Sequence, residues 1–223
     1  MMTQPDIFSL SELMTLPGRK RGQMLNALSG IKGVHLLGTQ SKSGVDNLAV
    51  FNSVLHIGAS PPALGILFRP LTVQRDSYDN ILETGAFTLN LIQSSMLNAA
   101  HHCAAKWPTE ASEFAATGLT PFRTHHGAPY VAESPIAVGL TLVEEIPIAF
   151  NDTRLLIGAV QEVILPSGAV AEDGWIRLDE YDVVSVAGLD SYYLGQLLAR
   201  KSYAQPDAAP YNLTPNEDDQ HAR

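Results

Sequence analysis

The chain has one cysteine, Cys103, among 223 residues, so no intrachain disulfide can staple it, and a reducing compartment fits. No run of about 18 apolar residues, the length of a membrane-spanning helix, occurs anywhere. Met1 to Arg19 lacks the apolar segment behind basic residues that marks a secretory signal. A soluble, cytoplasmic protein with no membrane partner is therefore expected. Basic residues are scarce as well: 14 Lys and Arg against 23 Asp and Glu give a formal net charge of −9. Nucleic acid needs a basic footprint, so none is expected, and an anionic ligand must be held locally. Also missing are a G-x-S-x-G elbow, a Walker P-loop, a G-x-G-x-x-G turn after a strand and an H-E-x-x-H helix. Hydrolase, nucleotide hydrolase and Rossmann readings are left without a motif.

What remains is a normal globular balance, 45% hydrophobic and 17% charged, enough for one elaborated domain. Residues 1–30 read as a peripheral arm with a short helix at Gly22 to Ser29, residues 31–204 as the domain, and residues 205–223 as a mobile Pro- and Asp-bearing tail. Strands are expected at Val34 to Thr39, Asn47 to Ile57, Ala63 to Phe68 and Ala86 to Ile92, where apolar residues alternate or run between Gly, Pro and Asp punctuation. Asp76 can cap a helix ended by Gly85. Two further helices are expected at Ser94 to Ala105 and Thr109 to Thr117, then a loop from Pro121 to Ser134. Ile136 to Leu142 and Leu155 to Leu165 read as strands reversed at Pro147 to Thr153, and Trp175 to Leu178 and Tyr181 to Ala187 as the last two. Asp190 can then cap a helix carrying Tyr193, Leu194, Leu197 and Leu198. Roughly seven to eight short strands with helices inserted mid-chain favour a closed or nearly closed barrel.

Three groups of residues could carry chemistry. His101, His102 and Cys103 are consecutive, with His125 and His126 later, but helix neighbours point about 100° apart, so no metal site is expected. Arg69, Thr72, Arg75 and Ser77 follow the apolar Ala63 to Phe68 run and combine planar guanidinium forks with hydroxyl donors, a way to hold phosphate at a barrel rim. Ordinary turn and cap residues would look similar. Asn47 to Ser53, NLAVFNS, mixes amides with an apolar wall and suits a flat heterocycle. As an ordinary strand, its Asn47 and Asn52 would merely serve turns or edges.

The order of blocks adds a resemblance. VDNLAVFNS (Val45 to Ser53), SPPAL (Ser60 to Leu64), Phe68-Arg69-Pro70 leading into RDSYDNI (Arg75 to Ile81) and ETGAFTLN (Glu83 to Asn90) resemble the flavin reductase-like family. Ser112-Glu113-Phe114, Gly118-Leu119, Leu155 with Ile157-Gly158 and Val160, and GLDSYY (Gly188 to Tyr193) extend the likeness over about residues 30 to 204. The resemblance implies a mainly β fold with helical additions, an antiparallel FMN-binding split barrel working as a homodimer, with FMN near the subunit interface. It implies ring-side roles for Asn47, Ala49, Phe51, Asn52 and Ser53, and phosphate-side roles for Arg69, Thr72, Arg75 and Ser77. Family members commonly carry His where this chain has Asp76, which is expected to point away and cap its helix. The implied activity is an NAD(P)H-dependent flavin reductase, with hydride passing from nicotinamide to flavin N5 and no catalytic side chain required. FAD could replace FMN, NADH or NADPH could be the donor, and a flavin-dependent monooxygenase could take the product. A flavoredoxin-like electron carrier and a non-catalytic flavin-binding barrel are the alternatives. The helical insert from Ser94 to Thr117 puts His101, His102 and Lys106 on the nicotinamide side or, alternatively, into dimer packing.

Overall fold

Apolar–polar alternation makes antiparallel strands the commonest element of the chain, and the computed structural model describes residues 5–213. Helices α1 (Leu10–Thr15) and α2 (Gly18–Leu28) precede β1 (Lys32–Gly33), β2 (His35–Gln40), β3 (Asp46–Phe51), β4 (Val54–Ala59) and β5 (Pro62–Phe68). Next come α3 (Asp76–Thr84), β6 (Ala86–Leu91), α4 (Leu97–His102), α5 (Glu113–Thr117), β7 (Pro121–Phe122) and β8 (Tyr130–Val131). The long pair β9 (Ala137–Ile148) and β10 (Thr153–Ile164) follows, then β11 (Val184–Ala187) and β12 (Ser191–Leu194).

Seven strands form one antiparallel sheet in the order β3-β2-β6-β9-β10-β5-β4. Its edge strands β3 and β4 are consecutive in the chain, separated only by Asn52 and Ser53. Three backbone steps reach at most about 11 Å, whereas a flat seven-stranded sheet would hold its edges about 29 Å apart. The sheet is therefore rolled, giving a mainly β, antiparallel split barrel.

The two-residue period of β2 feeds two cores. Leu37 points into the barrel with Ile66, Phe68, Phe87, Leu89, Leu140 and Leu156, while Leu36 packs outside it with Leu48, Ile92, Ala100, Phe114 and Val186. Each fully buried large side chain contributes about 1.5–3 kcal/mol. Helix α3 plugs the barrel with Tyr78 and Ile81, and the Tyr78 hydroxyl donates to Glu145 at 2.6 Å. Burial first, and Glu145 second, push that phenol up to about 12. Helices α1 and α2 bury no residue, although a capping box between Ser9 and Glu12 closes α1.

Several expectations are corrected, most of them by tertiary pairing. Asn47 to Ile57 is two strands, because Asn52 donates to the Gly188 carbonyl and the chain crosses from one sheet edge to the other. The helix expected after Asp190 is instead β12, pairing Val184 with Leu194 and Ala187 with Ser191 around Gly188 at φ 66°. A free partner strand outweighs local cap and spacing signals. The third helix starts at Glu113 with Ser112 at its N-cap, because the Thr109 hydroxyl is drawn to Asp76. Asp76 caps nothing: Arg75 occupies the N-cap of α3, and Gly85 ends the helix at φ 74°. Strand β9 runs through Pro147, opposite Arg154, so the reversal is confined to the residues after Ile148. Within 121–134 the short β7–β8 ribbon forms. Trp175 to Leu178 holds one bridge, Ile176 to Val170, leading into a 3-10 turn at Leu178–Tyr181. The arm holds two helices, α1 and α2, and the one expected at Gly22 to Ser29 is α2, which starts at Gly18 and ends at Leu28. Of the expected tail, 205–213 carries the bridges Lys201 to Asn212 and Gln205 to Ala208, and the remainder, like residues 1–4 of the arm, lies outside the described residues.

Candidate functional site

Strand β3 pairs with β2 on one side only, so its other edge is open. Against that edge lies a cavity of about 440 Å³. The N-terminus of α3, the segment after α4, and the β11–β12 hairpin supply the rest of its wall. Of the residues singled out in the sequence, Asn47, Ala49, Phe51, Asn52, Ser53, Arg69, Arg75, Ser77, His101 and Lys106 line it. Thr72 and His102 do not. His102 is turned toward Trp107, ring centroids 5.0 Å apart.

Edge-strand amides form one side of the site. The Leu48 N–H donates to Glu113 Oε2 at 2.9 Å, so it points away from β2. By the alternation of an antiparallel ladder, the Val50 N–H points the same way, toward the open edge. Phe51 and Phe68 meet edge to face, centroids 4.8 Å apart, giving an apolar wall below.

At the α3 end, the polar groups are arranged for an anion. Asn47 Nδ2 donates to Ser77 Oγ at 2.8 Å and to Thr39 Oγ1 at 3.3 Å, and Asn80 also donates to Thr39 at 3.1 Å. Ser77 is thus held as an acceptor, and its own proton is left to donate. Arg75 Nε is buried without a partner. Leaving such a donor unmet costs about 1–3 kcal/mol, and a bound phosphate oxygen would meet it. The first amides of α3 add the positive end of a nine-residue helix. Asp76 also lines the cavity, contrary to the expectation that it points away. Its carboxylate is tied by Gln74 at 3.1 Å and Thr109 at 3.2 Å. Arg69 lies in the field of Lys32, whose ammonium is pushed down by partial burial first and by Arg69 second.

Trp107 of the expected insert lines the cavity, and sequence reasoning missed Glu113 and Tyr192, which line it too. Glu113 is buried, and burial pushes its carboxyl above the ordinary value of 4.5, with the Leu48 amide opposing and Asp76 adding to the shift. The folded state therefore binds its proton more tightly than the unfolded chain, and stability falls as pH rises from 4.5 through the folded value. Glu113→Gln keeps an acceptor for Leu48 and removes the charge. Its thermal midpoint relative to wild type is expected to climb as pH rises above 4.5 and to level off once the wild-type carboxyl is ionised in the folded state, as circular-dichroism melts across pH would show. Cys103, also in the wall, is pushed up to about 11 by burial and remains a thiol. Among the described residues no group of three or more His, Cys, Asp or Glu could hold a metal ion, and no helix is long and apolar enough to cross a membrane.

The family model described as "Flavin reductase like domain" matches residues 30–181. The chain is 40% identical, with a TM-score of 0.86, to a split-barrel-domain protein of Shewanella frigidimarina NCIMB 400 that carries a flavin reductase designation. That match covers 90% of this chain and 100% of the other. Flavoredoxin of Desulfovibrio vulgaris (Miyazaki F) is 27% identical over 77% of this chain and 91% of its own, with a TM-score of 0.66. Nitrilotriacetate monooxygenase component B from Bacillus cereus shares the fold, with a TM-score of 0.76 at 23% identity over 87% of this chain and 99% of its own.

Proposed function

The chain belongs to the family of the flavin reductase like domain and is a flavin-related oxidoreductase, and from that premise we propose that it binds FMN and reduces it with NADH or NADPH. The observation that carries the reading is the unpartnered Arg75 Nε beside a Ser77 hydroxyl whose proton is free to donate, both at the N-terminus of α3. These donors fit the phosphate of FMN. Bound there, FMN would supply a hydride-accepting N5, so no nucleophile or base is demanded of the protein. Arg75, Ser77 and the α3 amides hold the anionic end, with Arg69 near the mouth. The Val50 amide, Asn52 and Ser53 face the ring's polar edge, where donors stabilise charge that develops on reduction. Phe51 and Ala49 exclude water from the ring face. Asp76 opposes this anion. Asp76→Asn is expected to tighten FMN about two- to fivefold in a fluorescence titration, since it removes a like charge beside the phosphate.

A flavoredoxin-like carrier is the second reading, favoured by the similarity to the Desulfovibrio flavoredoxin. The deciding experiment records the visible spectrum of the purified protein with FMN or FAD, then adds NADH or NADPH without oxygen and supplies excess free flavin. Bleaching with turnover of the excess supports the reductase, and bleaching of one equivalent supports the carrier. A protein that acquires no flavin spectrum overturns both.

We also propose a homodimer. On the outer face of the sheet, Leu55, Gly65 and Ile157 form one row, and Leu67, Leu155 and Ile146 the next. Leu55 and Ile57 are 46% and 43% exposed there, a contiguous apolar face of the kind a partner covers. Leu67 also lines the cavity, so a second copy on this face would sit beside the flavin. Sedimentation of Leu55→Glu against wild type tests the dimer, and identical masses for the two would sink this interface. A flavin-dependent monooxygenase is a suitable consumer of the reduced product.

A further inference from the structure

The segment that leaves α4 forms a strap in the cavity wall, contributing Cys103, Ala104, Ala105, Lys106 and Trp107. Two hydrogen bonds anchor it to separate elements. At one end Thr109 Oγ1 donates to Asp76 on α3, beside the proposed phosphate site. At the other end the imidazole of His101, the penultimate residue of α4, meets β12: the Tyr192 hydroxyl lies 2.8 Å from His101 Nδ1, with the rings perpendicular and their centroids 5.6 Å apart. Both rings line the cavity.

The direction of that second bond follows from the chemistry of the two groups. Burial, and then the charge of Asp190, push the Tyr192 phenol above its ordinary value, so it stays protonated and donates. A neutral imidazole that accepts at Nδ1 must carry its proton at Nε2. Among the described residues no hydrogen bond engages that second nitrogen, which leaves His101 with one donor to offer a ligand. With the FMN phosphate assigned to Arg75 and Ser77, the His101 donor on the β12 side is left for the second ligand of the reaction.

We infer that Tyr192 is a positioning residue for the pyridine nucleotide: it fixes His101 so that the imidazole N–H can bond the carboxamide oxygen of a nicotinamide. This rests on the reading of the cavity as a flavin and NAD(P)H site. Tyr192 itself need not touch the reacting atoms, and no bond is made or broken at either side chain. Its contribution is to select one imidazole tautomer and one ring orientation before the nucleotide arrives.

The test compares wild type, Tyr192→Phe and His101→Gln as full-length proteins loaded with FMN. Loss of one neutral hydrogen bond predicts a KM for NADH or NADPH raised about 3- to 10-fold in both variants, with kcat and the FMN dissociation constant within about twofold. Two-bond ¹⁵N–¹H spectra of the imidazoles supply a readout independent of turnover. The His101 ring should be Nε2-protonated in wild type and lose that preference in Tyr192→Phe. An unchanged KM in both variants, or FMN binding weakened as much as the KM is raised, overturns the inference. So does a wild-type ring protonated at Nδ1. If wild type oxidises neither nucleotide, the functional reading fails by itself. In that case an Nε2-protonated ring that changes in Tyr192→Phe still upholds the positioning of His101, and an unchanged ring overturns it.

Discussion

Replacing Arg75 by alanine is expected to weaken FMN about 10- to 100-fold, the worth of a charge-assisted hydrogen bond to a phosphate, while riboflavin changes by no more than about twofold. The contrast isolates the phosphate, the one group that the two flavins do not share. Fluorescence titration of both ligands against wild type, Arg75→Ala and Arg69→Ala measures it. Arg75 should show the larger effect: its Nε is buried without a partner, whereas Arg69 is exposed and lies close enough to Lys32 to depress that ammonium. Removing Arg75 also removes a buried donor that the chain alone leaves unsatisfied, and its side chain makes no cap bond to α3. The ligand-free thermal midpoint should therefore hold or rise. Equal losses for both flavins would place Arg75 away from the phosphate.

Legibility of this site in the sequence followed the range of the interactions that build it. Asn47 to Ser53 and Arg69 to Ser77 are continuous runs whose residue types suggest a strand along a flat heterocycle and a turn for a phosphate, and most of the residues singled out in them line the cavity. Thr72 was drawn in by proximity along the chain, although the turn carries it away from the wall. Glu113 could not be read as part of the site, because its role depends on an amide 65 residues away. Tyr192 was hidden by a wrong element. Asp190 and the Tyr193, Leu194, Leu197 spacing imitate a capped helix, yet the β-branched Val183-Val184 and Val186, the turn at Gly188 and the pair Tyr192-Tyr193 carry the pattern of a hairpin. Weighing the run on both sides of Gly188 together would have found β12. A closed or nearly closed barrel was legible from strand count, but the way it closes was not. That depended on seeing that Asn52 and Ser53 join opposite edges of one sheet, a fact of pairing order rather than composition.

The second large effect lies outside the cavity. Gly38 on β2 faces the segment that runs over the outside of the barrel, and a Cβ added there would come closer than 3.0 Å to the Pro129 carbonyl and to Thr88 Oγ1. Neither can yield cheaply. The Thr88 hydroxyl donates to that same carbonyl at 2.6 Å, and the Val131 amide donates to Asn90 Oδ1 at 3.0 Å, so displacing the segment strips two buried hydrogen bonds. Overpacking and lost hydrogen bonds together predict that Gly38→Ala costs about 3 kcal/mol or more, a fall of roughly 6–12 °C in thermal midpoint for a chain of this size. Gly22 is the control: it lies within α2 with nothing near its missing Cβ, so Gly22→Ala should stabilise by about 0.5–1 kcal/mol. The Gly38 change should also reach the ligand. Thr39, the next residue, accepts from Asn47, and Asn47 holds Ser77 at the proposed phosphate site. If β2 shifts to relieve the clash, FMN affinity should fall although no cavity residue has changed. If instead the Pro129 segment yields, stability should fall while FMN affinity holds. Measuring both quantities on Gly38→Ala therefore identifies which side of the contact is the stiffer, and whether the anion site is built on β2.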